Sequence, residues 1–406
     1  MTMLANTFAP AFPEYWSRRL QQVHSQNDVY RQIANFEAVA DLKNGDVWHK
    51  PHTSVPTPKA YTRGTAVTIQ DVTVTDESLT VDQDFVSPFY VDDLDALQSN
   101  YPLMNRLADE AGIKISNKID GDVLGEYDQA TTTLDDDDIT GGTDGNGFVL
   151  TTSNVQTVFA AAKRALQRLN VTFAAGQLFA VISPHFEEIL LRYLAGKESI
   201  LGDKTGVAGH IGQYYGFDLF SSNSTGWSAE LGMATNPTEA DTVVIDGVTF
   251  TFNATPSGAG SVDIGGSAAV SVDNLVAAIN DSGTAGTTYI QLTDANRAKM
   301  DKITATDGTT TMTLKGEGVG YAAVSETLTA SADVWTAGKE QQHCLFGKKG
   351  ATHAVVQVQP TMKVKDVPDK LGVNVIPYTL YGLKTFDAGD DELVNVVLDS
   401  SGASFT

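Results

Sequence analysis

The chain is poor in cysteine, in bases and in long apolar runs, and each shortage excludes something. One cysteine, Cys344, among 406 residues leaves no intramolecular disulfide framework and no cysteine-only metal site. Lys and Arg number 27 against 50 Asp and Glu, a net charge of −23. A surface that acidic repels nucleic acid over most of its area, so any contact with DNA or RNA has to be local. No apolar stretch reaches the roughly 18 residues of a membrane helix, so no span is expected. The opening MTMLANTFAPAFPEYW has no basic region ahead of an apolar run, so no signal peptide is expected. No repeat of fixed period is found. What remains is globular composition, 42% apolar and 19% charged, long enough for two or three folding units. The expectation is a soluble, intracellular, acidic protein.

Residues 1–50 read as an arm. Their apolar residues, among them Phe8, Phe12, Trp16, Ile33 and Trp48, are sparse and singly placed, too few to bury a core. Residues 1–63 carry a net +2, so the other 343 residues carry −25. A basic arm on an acidic body suggests docking onto a neighbour's acidic surface; a frayed, solvated terminus is the plainer account. Residues 51–90 read as extended chain. After a Pro- and Thr-rich stretch, Val67, Ile69, Val72, Val74, Leu79 and Val81 alternate, and Asp76-Glu77-Ser78 reads as the turn of a long hairpin. Such a hairpin has no core of its own.

From Asp92 to Tyr127, Leu94, Leu97, Tyr101, Met104, Leu107, Ala111, Ile115 and Ile119 keep a three-and-four spacing that predicts one long amphipathic helical stretch. Pro102 fits the first turn of a second helix, and Gly112 and Gly121 weaken its middle. DDDDITGGTDGNG, 135–147, is an acidic loop. Residues 153–220 read as an α/β unit. A helix capped by Ser153 is followed by a buried strand, LFAVI at 178–182, and by a second helix with Ser183 as cap and Pro184 in its first turn. A Gly-punctuated strand ends the unit.

Composition shifts near Ala234 and returns near Trp335. Residues 236–335 are rich in Thr, Gly, Asp and Val and carry four bases against twelve acids. Hairpins are predicted at Asp246-Gly247 and Asp307-Gly308, with a short helix, SVDNLVAAIN, capped by Ser271 between them. This is an insert of about 100 residues, large enough to fold alone. Beyond it the strand style of the earlier unit resumes.

Motifs for chemistry are weak. His49 and His52 sit three apart, but Pro51 argues for extended chain rather than a helical ligand pair. His343-Cys344 would point to opposite faces of a strand, which suits a buried inert thiol better than a nucleophile pair. GEGVG at 316–320 has no helix after it, and GKKG at 347–350 lacks the Ser/Thr of a phosphate loop. Asp135–Asp138 and Asp144 could hold a hard cation, yet the spacing is not that of a calcium loop. No catalytic, metal-binding or cofactor-binding residues are assigned, and no enzyme activity is expected.

The order of parts carries a resemblance. LKNGDVWHKP at 42–51 looks like an arm entering an extended loop. VTVTDESLTVDQDF followed by the helical stretch to Tyr127 is similar to a loop return strand, a short acidic link and a spine helix. LFAVISPHFEEILLRYL at 178–194, GHIGQYYGFDLFSSNS at 209–224 and YGLKTFD at 381–387 complete the pattern. Together they resemble the major capsid proteins of tailed bacteriophages, with the Hong Kong-type shell fold, over about 300 residues. The insert resembles small modules of other phage virion proteins.

The resemblance implies an α+β fold. Its parts are an N-terminal arm at 1–50, an extended loop at 51–90 and a peripheral domain with spine helix at 91–150. The axial domain is at 151–235 and 336–385, a small α+β insertion domain at 236–335, and a return to the peripheral domain at 386–406. It implies a structural protein that assembles with itself as hexamers and pentamers into an icosahedral shell around double-stranded DNA. The DNA would be touched only weakly and non-specifically. A separate scaffolding protein, a portal protein and a decoration protein are the implied partners, with no membrane. Inter-subunit contacts are expected from Trp16, Arg18 and Arg19 in the arm, and from Lys59, Arg63, Asp71, Asp76 and Glu77 in the loop. The alternative is a bacterial surface or adhesin-like protein, suggested by the insert's composition.

Overall fold

The computed structural model describes residues 28–37, 42, 45–67, 69–94, 103–197, 212–329, 333–367 and 371–401. In chain order the first elements are α1 (Tyr30–Ile33), β1 (Val47–Thr53), β2 (Val74–Thr80), β3 (Gln83–Val86), β4 (Phe89–Asp92) and α2 (Leu103–Gly125). Then come β5 (Thr132–Leu134), α3 (Asp136–Thr140), α4 (Val155–Arg168), β6 (Leu178–Ile182), α5 (Pro184–Ala195), β7 (Gln213–Tyr214), β8 (Phe217–Ser221) and β9 (Gly226–Gly232). The next stretch holds β10 (Thr242–Ile245), β11 (Val248–Asn253), β12 (Ser261–Asp263), α6 (Ala268–Asn280), α7 (Asp294–Met300), β13 (Ile303–Asp307), β14 (Thr311–Gly316) and β15 (Val324–Glu326). The chain closes with β16 (Gln341–Lys348), β17 (Thr352–Asp366), β18 (Gly372–Thr385), α8 (Asp387–Asp390) and β19 (Leu393–Asp399).

A nine-stranded sheet organises the body. Its path is β13-β14-β9-β16-β6-β8-β7, with β19 added on β16 and β5 on β19. LFAVI sits at its centre, and alternation along the strand serves two cores. Leu178, Ala180 and Ile182 pack with α4, α5 and Phe346 on one face. Phe179 and Val181 pack on the other with α1, with Ile115, Ile119 and Val123 of α2, and with Tyr381. The Ser183-Pro184 start of α5 forms as expected, Ser183 Oγ accepting the Phe186 N–H at 3.2 Å. A four-stranded sheet, β17-β18-β3 with β4 also on β18, lies beyond α2, and β1 and β2 form a separate two-stranded ribbon.

The region 236–335 has its own core, in which Phe250, Phe252, Leu275, Ile279 and Met312 are fully buried. Its hairpins turn where expected. Asp246 and Gly247 both have positive φ, 47° and 71°, as the tight hairpin turn requires. The region is nevertheless not separate from the body. β14 pairs with β9, β9 pairs with β16, and Trp227 and Leu231 of β9 complete the region's core.

Several local expectations are corrected. Asp76-Glu77-Ser78 is not a turn: these residues lie inside β2, opposite Pro51, Lys50 and His49 of β1. The chain reverses instead at Thr62–Thr65, where Thr65 N–H reaches the Thr62 carbonyl and Gly64 takes the left-handed conformation. Ser153 does not cap α4. Asn154 holds that position and turns its side-chain oxygen back to the Thr151 N–H. Ser271 does not cap α6, which starts a turn earlier on Ser267; Ser271 is buried and bonds Asn236 and the Gly265 N–H. Residues 352–385, read as resuming the α/β unit, form the four-stranded sheet with β3 and β4. The last strand, β19, enters the nine-stranded sheet. These two placements arise from pairings across hundreds of residues that periodicity cannot encode.

Candidate assembly surface

The segment between β1 and β2, residues 54–73, is exposed along almost all of its described length. Its legs are tied by Ser54 N–H to the Thr73 carbonyl at 2.9 Å and by Gln70 Nε2 to the Thr57 carbonyl at 2.6 Å. Beyond Thr57 and Gln70, the turn at Thr62–Thr65 is the one contact among the described residues that holds it. About ten residues per leg give a reach of up to roughly 33 Å. That exceeds the roughly 22 Å radius of gyration of a compact chain of this length. Val55, Tyr61, Val67, Ile69 and Val72 all stand in solvent, Ile69 at 88% exposure. Lys59, Arg63 and Asp71 are exposed here, and none has an ion-pair partner among the described residues.

The root of the loop is firmly mounted. Leu79 and Val81 are buried with Leu42, Val355 and Phe386. Trp48 packs its ring against His353 and Phe386, and Lys50 Nζ donates to His353 Nε2 at 3.1 Å. Burial, with the Lys50 charge beside it, holds His353 below the usual imidazole range. Asp76 meets His49 Nδ1 at 2.6 Å on the exposed ribbon. Glu77 turns inward, where Oε2 accepts the Asp387 N–H at 3.1 Å. Of the residues expected to reach a neighbour, then, Lys59, Arg63 and Asp71 share the free loop, while Asp76 and Glu77 serve its root. Trp16, Arg18 and Arg19 lie outside the described residues.

The weak motifs resolve into structure. His343 is buried, flat against the Tyr127 ring at 4.0 Å between centroids, with Nε2 on Ser228 Oγ at 2.9 Å and Nδ1 on Asn395 Oδ1 at 3.2 Å. Burial pushes its pKa down to about 4. Cys344 faces the opposite core, where burial pushes the thiol up to about 12. Asp135 caps α3 through the N–H groups of Asp137 and Asp138, and Asp136 accepts the Thr143 N–H, so the acidic loop folds on its own carboxylates. In GKKG, Lys348 pairs with Glu392 at 2.6 Å and Lys349 with Asp218.

A contact that sequence reasoning missed joins the arm to the long helix. Asp120 of α2, fully buried, accepts the N–H groups of Val29 and Tyr30 at 2.8 Å each, and Ser116 Oγ donates to Asp28 at 2.6 Å. An acid on the apolar face of an amphipathic helix was the available signal.

No protein-family model and no curated protein matches the chain. Solved structures do match it along nearly all of its length. A chain of Mycobacterium phage Che8 superposes with a TM-score of 0.56 at 16% identity, covering 97% of this chain and 98% of that one. The capsid structure of the cyanophage P-SCSP1u gives 0.53 at 10% identity, covering 98% and 96%. The chain has the fold of phage capsid proteins. The head structure of Helicobacter pylori bacteriophage KHP40 agrees, with 0.51 at 9% identity over 98% and 99%. The α+β, Hong Kong-type shell fold expected from the order of parts is therefore the fold observed. The adhesin-like alternative gains no support.

Proposed function

We propose that this chain is the major capsid protein of a tailed bacteriophage, a structural protein that assembles with itself as hexamers and pentamers into an icosahedral shell around double-stranded DNA. The observation that carries the reading is the 54–73 loop, an apolar and basic ribbon left exposed by the described residues, on a chain with the capsid fold. Burying each of its large apolar side chains is worth roughly 1.5–3 kcal/mol, burial that a neighbouring subunit would supply. Lys59, Arg63 and Asp71 would make polar contacts on the neighbour, and Trp16, Arg18 and Arg19 of the basic arm would lie on an acidic one. A scaffolding protein, a portal protein and a decoration protein are the partners this role calls for. The protein's place would be the virion, after assembly in the host cytoplasm.

Amide hydrogen exchange tests the reading. Residues 54–73 should exchange within seconds in the free subunit and be strongly protected in the assembled particle. Equal exchange in both states would remove the loop from the subunit contact.

A further inference from the structure

The region 236–335 looks like a removable insert in sequence. In the structure it forms half of a socket that holds the end of α2. The helix runs into a short 3-10 turn, Glu126–Gln129, whose Tyr127 is the plug. One wall is the His343 ring of β16. A second is Gly226 of β9, where the Tyr127 ring leaves no room for a Cβ. The third comes from the region itself. Lys315 of β14 places Nζ 5.5 Å from the Tyr127 ring centroid and bonds Asp128 at 2.6 Å, with Glu317 at 3.4 Å.

The turn after β14 adds a backbone contact. Gly121 of α2 lies against Gly318 so closely that a Cβ on Gly121 would stand 3.0 Å from the Gly318 Cα. Lys302 Nζ also reaches the Gly318 carbonyl at 3.3 Å. Gly121 thus marks a close approach of two backbones rather than a weak point of the helix, and GEGVG is the other side of that contact. A lysine beside the C-terminal end of a helix also interacts favourably with the helix dipole.

We infer that residues 236–335 act as a clamp on α2, with Lys315 and the Gly316–Gly320 turn as its jaw. The clamp fixes the helix whose Asp120 holds the arm. Lys315 is a positioning residue, and its effect belongs to the single subunit, independent of any assembly.

The test compares hydrogen exchange of the full chain with that of Lys315→Ala and Lys315→Arg. Removing a partly buried, charge-assisted contact should speed exchange at 119–129 by about tenfold. Exchange in β10 and β11, inside the region's core, should stay unchanged, and Lys315→Arg should restore protection at 119–129. Gly318→Ala, strained at φ +65° and crowded against Gly121, should reproduce the loss without touching any charge. Unchanged exchange at 119–129 in both Lys315→Ala and Gly318→Ala would overturn the clamp.

Discussion

The Asp120 carboxylate accepts the backbone N–H of Tyr30 at 2.8 Å across 90 residues of sequence. With the matching bond from Val29 it fixes where the arm meets the helix. Burial, with Asp28 nearby, raises its pKa from 3.8 to about 6 against the pull of those two N–H groups and of Lys302. The native state therefore binds a proton that the unfolded chain has lost. Stability from this group is fully present below about pH 4 and is lost as pH rises through 6, by up to roughly 3 kcal/mol.

Asp120→Asn keeps a side-chain oxygen for both N–H groups and removes the buried charge. Its stability relative to wild type should rise between pH 4 and pH 7. Asp120→Ala leaves two buried donors unpaired and should lose about 1–3 kcal/mol for each at pH 4, and less at pH 7, where the wild-type carboxyl is itself a buried charge. Denaturant melts at pH 4 and 7 measure both. An Asn variant with an unaltered pH profile would mean that the carboxylate does not titrate in this window.

The shared strand β9 sets where the 236–335 region can be cut. Trp227 and Leu231 are fully buried in its core, and β14 pairs with β9 from Thr311 to Gly316. The fragment 226–335 should therefore melt cooperatively. The fragment 236–335 lacks this strand and Trp227, and should be less stable by at least the roughly 3–5 kcal/mol of a large core truncation. Equal melting of the two would show that β9 belongs to the body alone.

Asn280, the last residue of α6, closes the edge of the nine-stranded sheet. Its side chain accepts the Ala305 N–H at 2.8 Å and donates to the Ala305 carbonyl at 2.7 Å. An open strand edge is a template for pairing with another chain. Asn280→Ala should cost about 1–3 kcal/mol for the two bonds and promote concentration-dependent association. Light scattering reads this, and a variant as monodisperse as wild type would remove the edge role.

Local chemistry was legible wherever one residue decides it. Ser183-Pro184 starts α5, Asp246-Gly247 turns a hairpin, and the alternation of LFAVI buries both faces of β6. Capping was less legible where serines recur. Ser267 and Ser271 both precede helix-forming residues, and only the Gly265 and Asn236 contacts of Ser271 settle which one caps. The loop was legible from its want of a core, but its turn was misplaced. Asp76 and Glu77 resemble turn residues until His49 and the Asp387 N–H, one of them 310 residues away, are seen to hold them. Asp120 with Tyr30 and Tyr127 with His343 are pairs of the same kind. Each partner is set by the tertiary fold; an acid on the apolar face of α2 marked Asp120, but nothing local named Tyr30 or joined Tyr127 to His343.

Electron microscopy of the purified chain, alone and co-expressed with a candidate scaffolding protein, tests the central claim most directly. The account predicts closed shells, or rings of five and six subunits. It also predicts that deleting residues 54–73 leaves folded monomers. Monomers under every condition, or shells that form as readily without the loop, would contradict it.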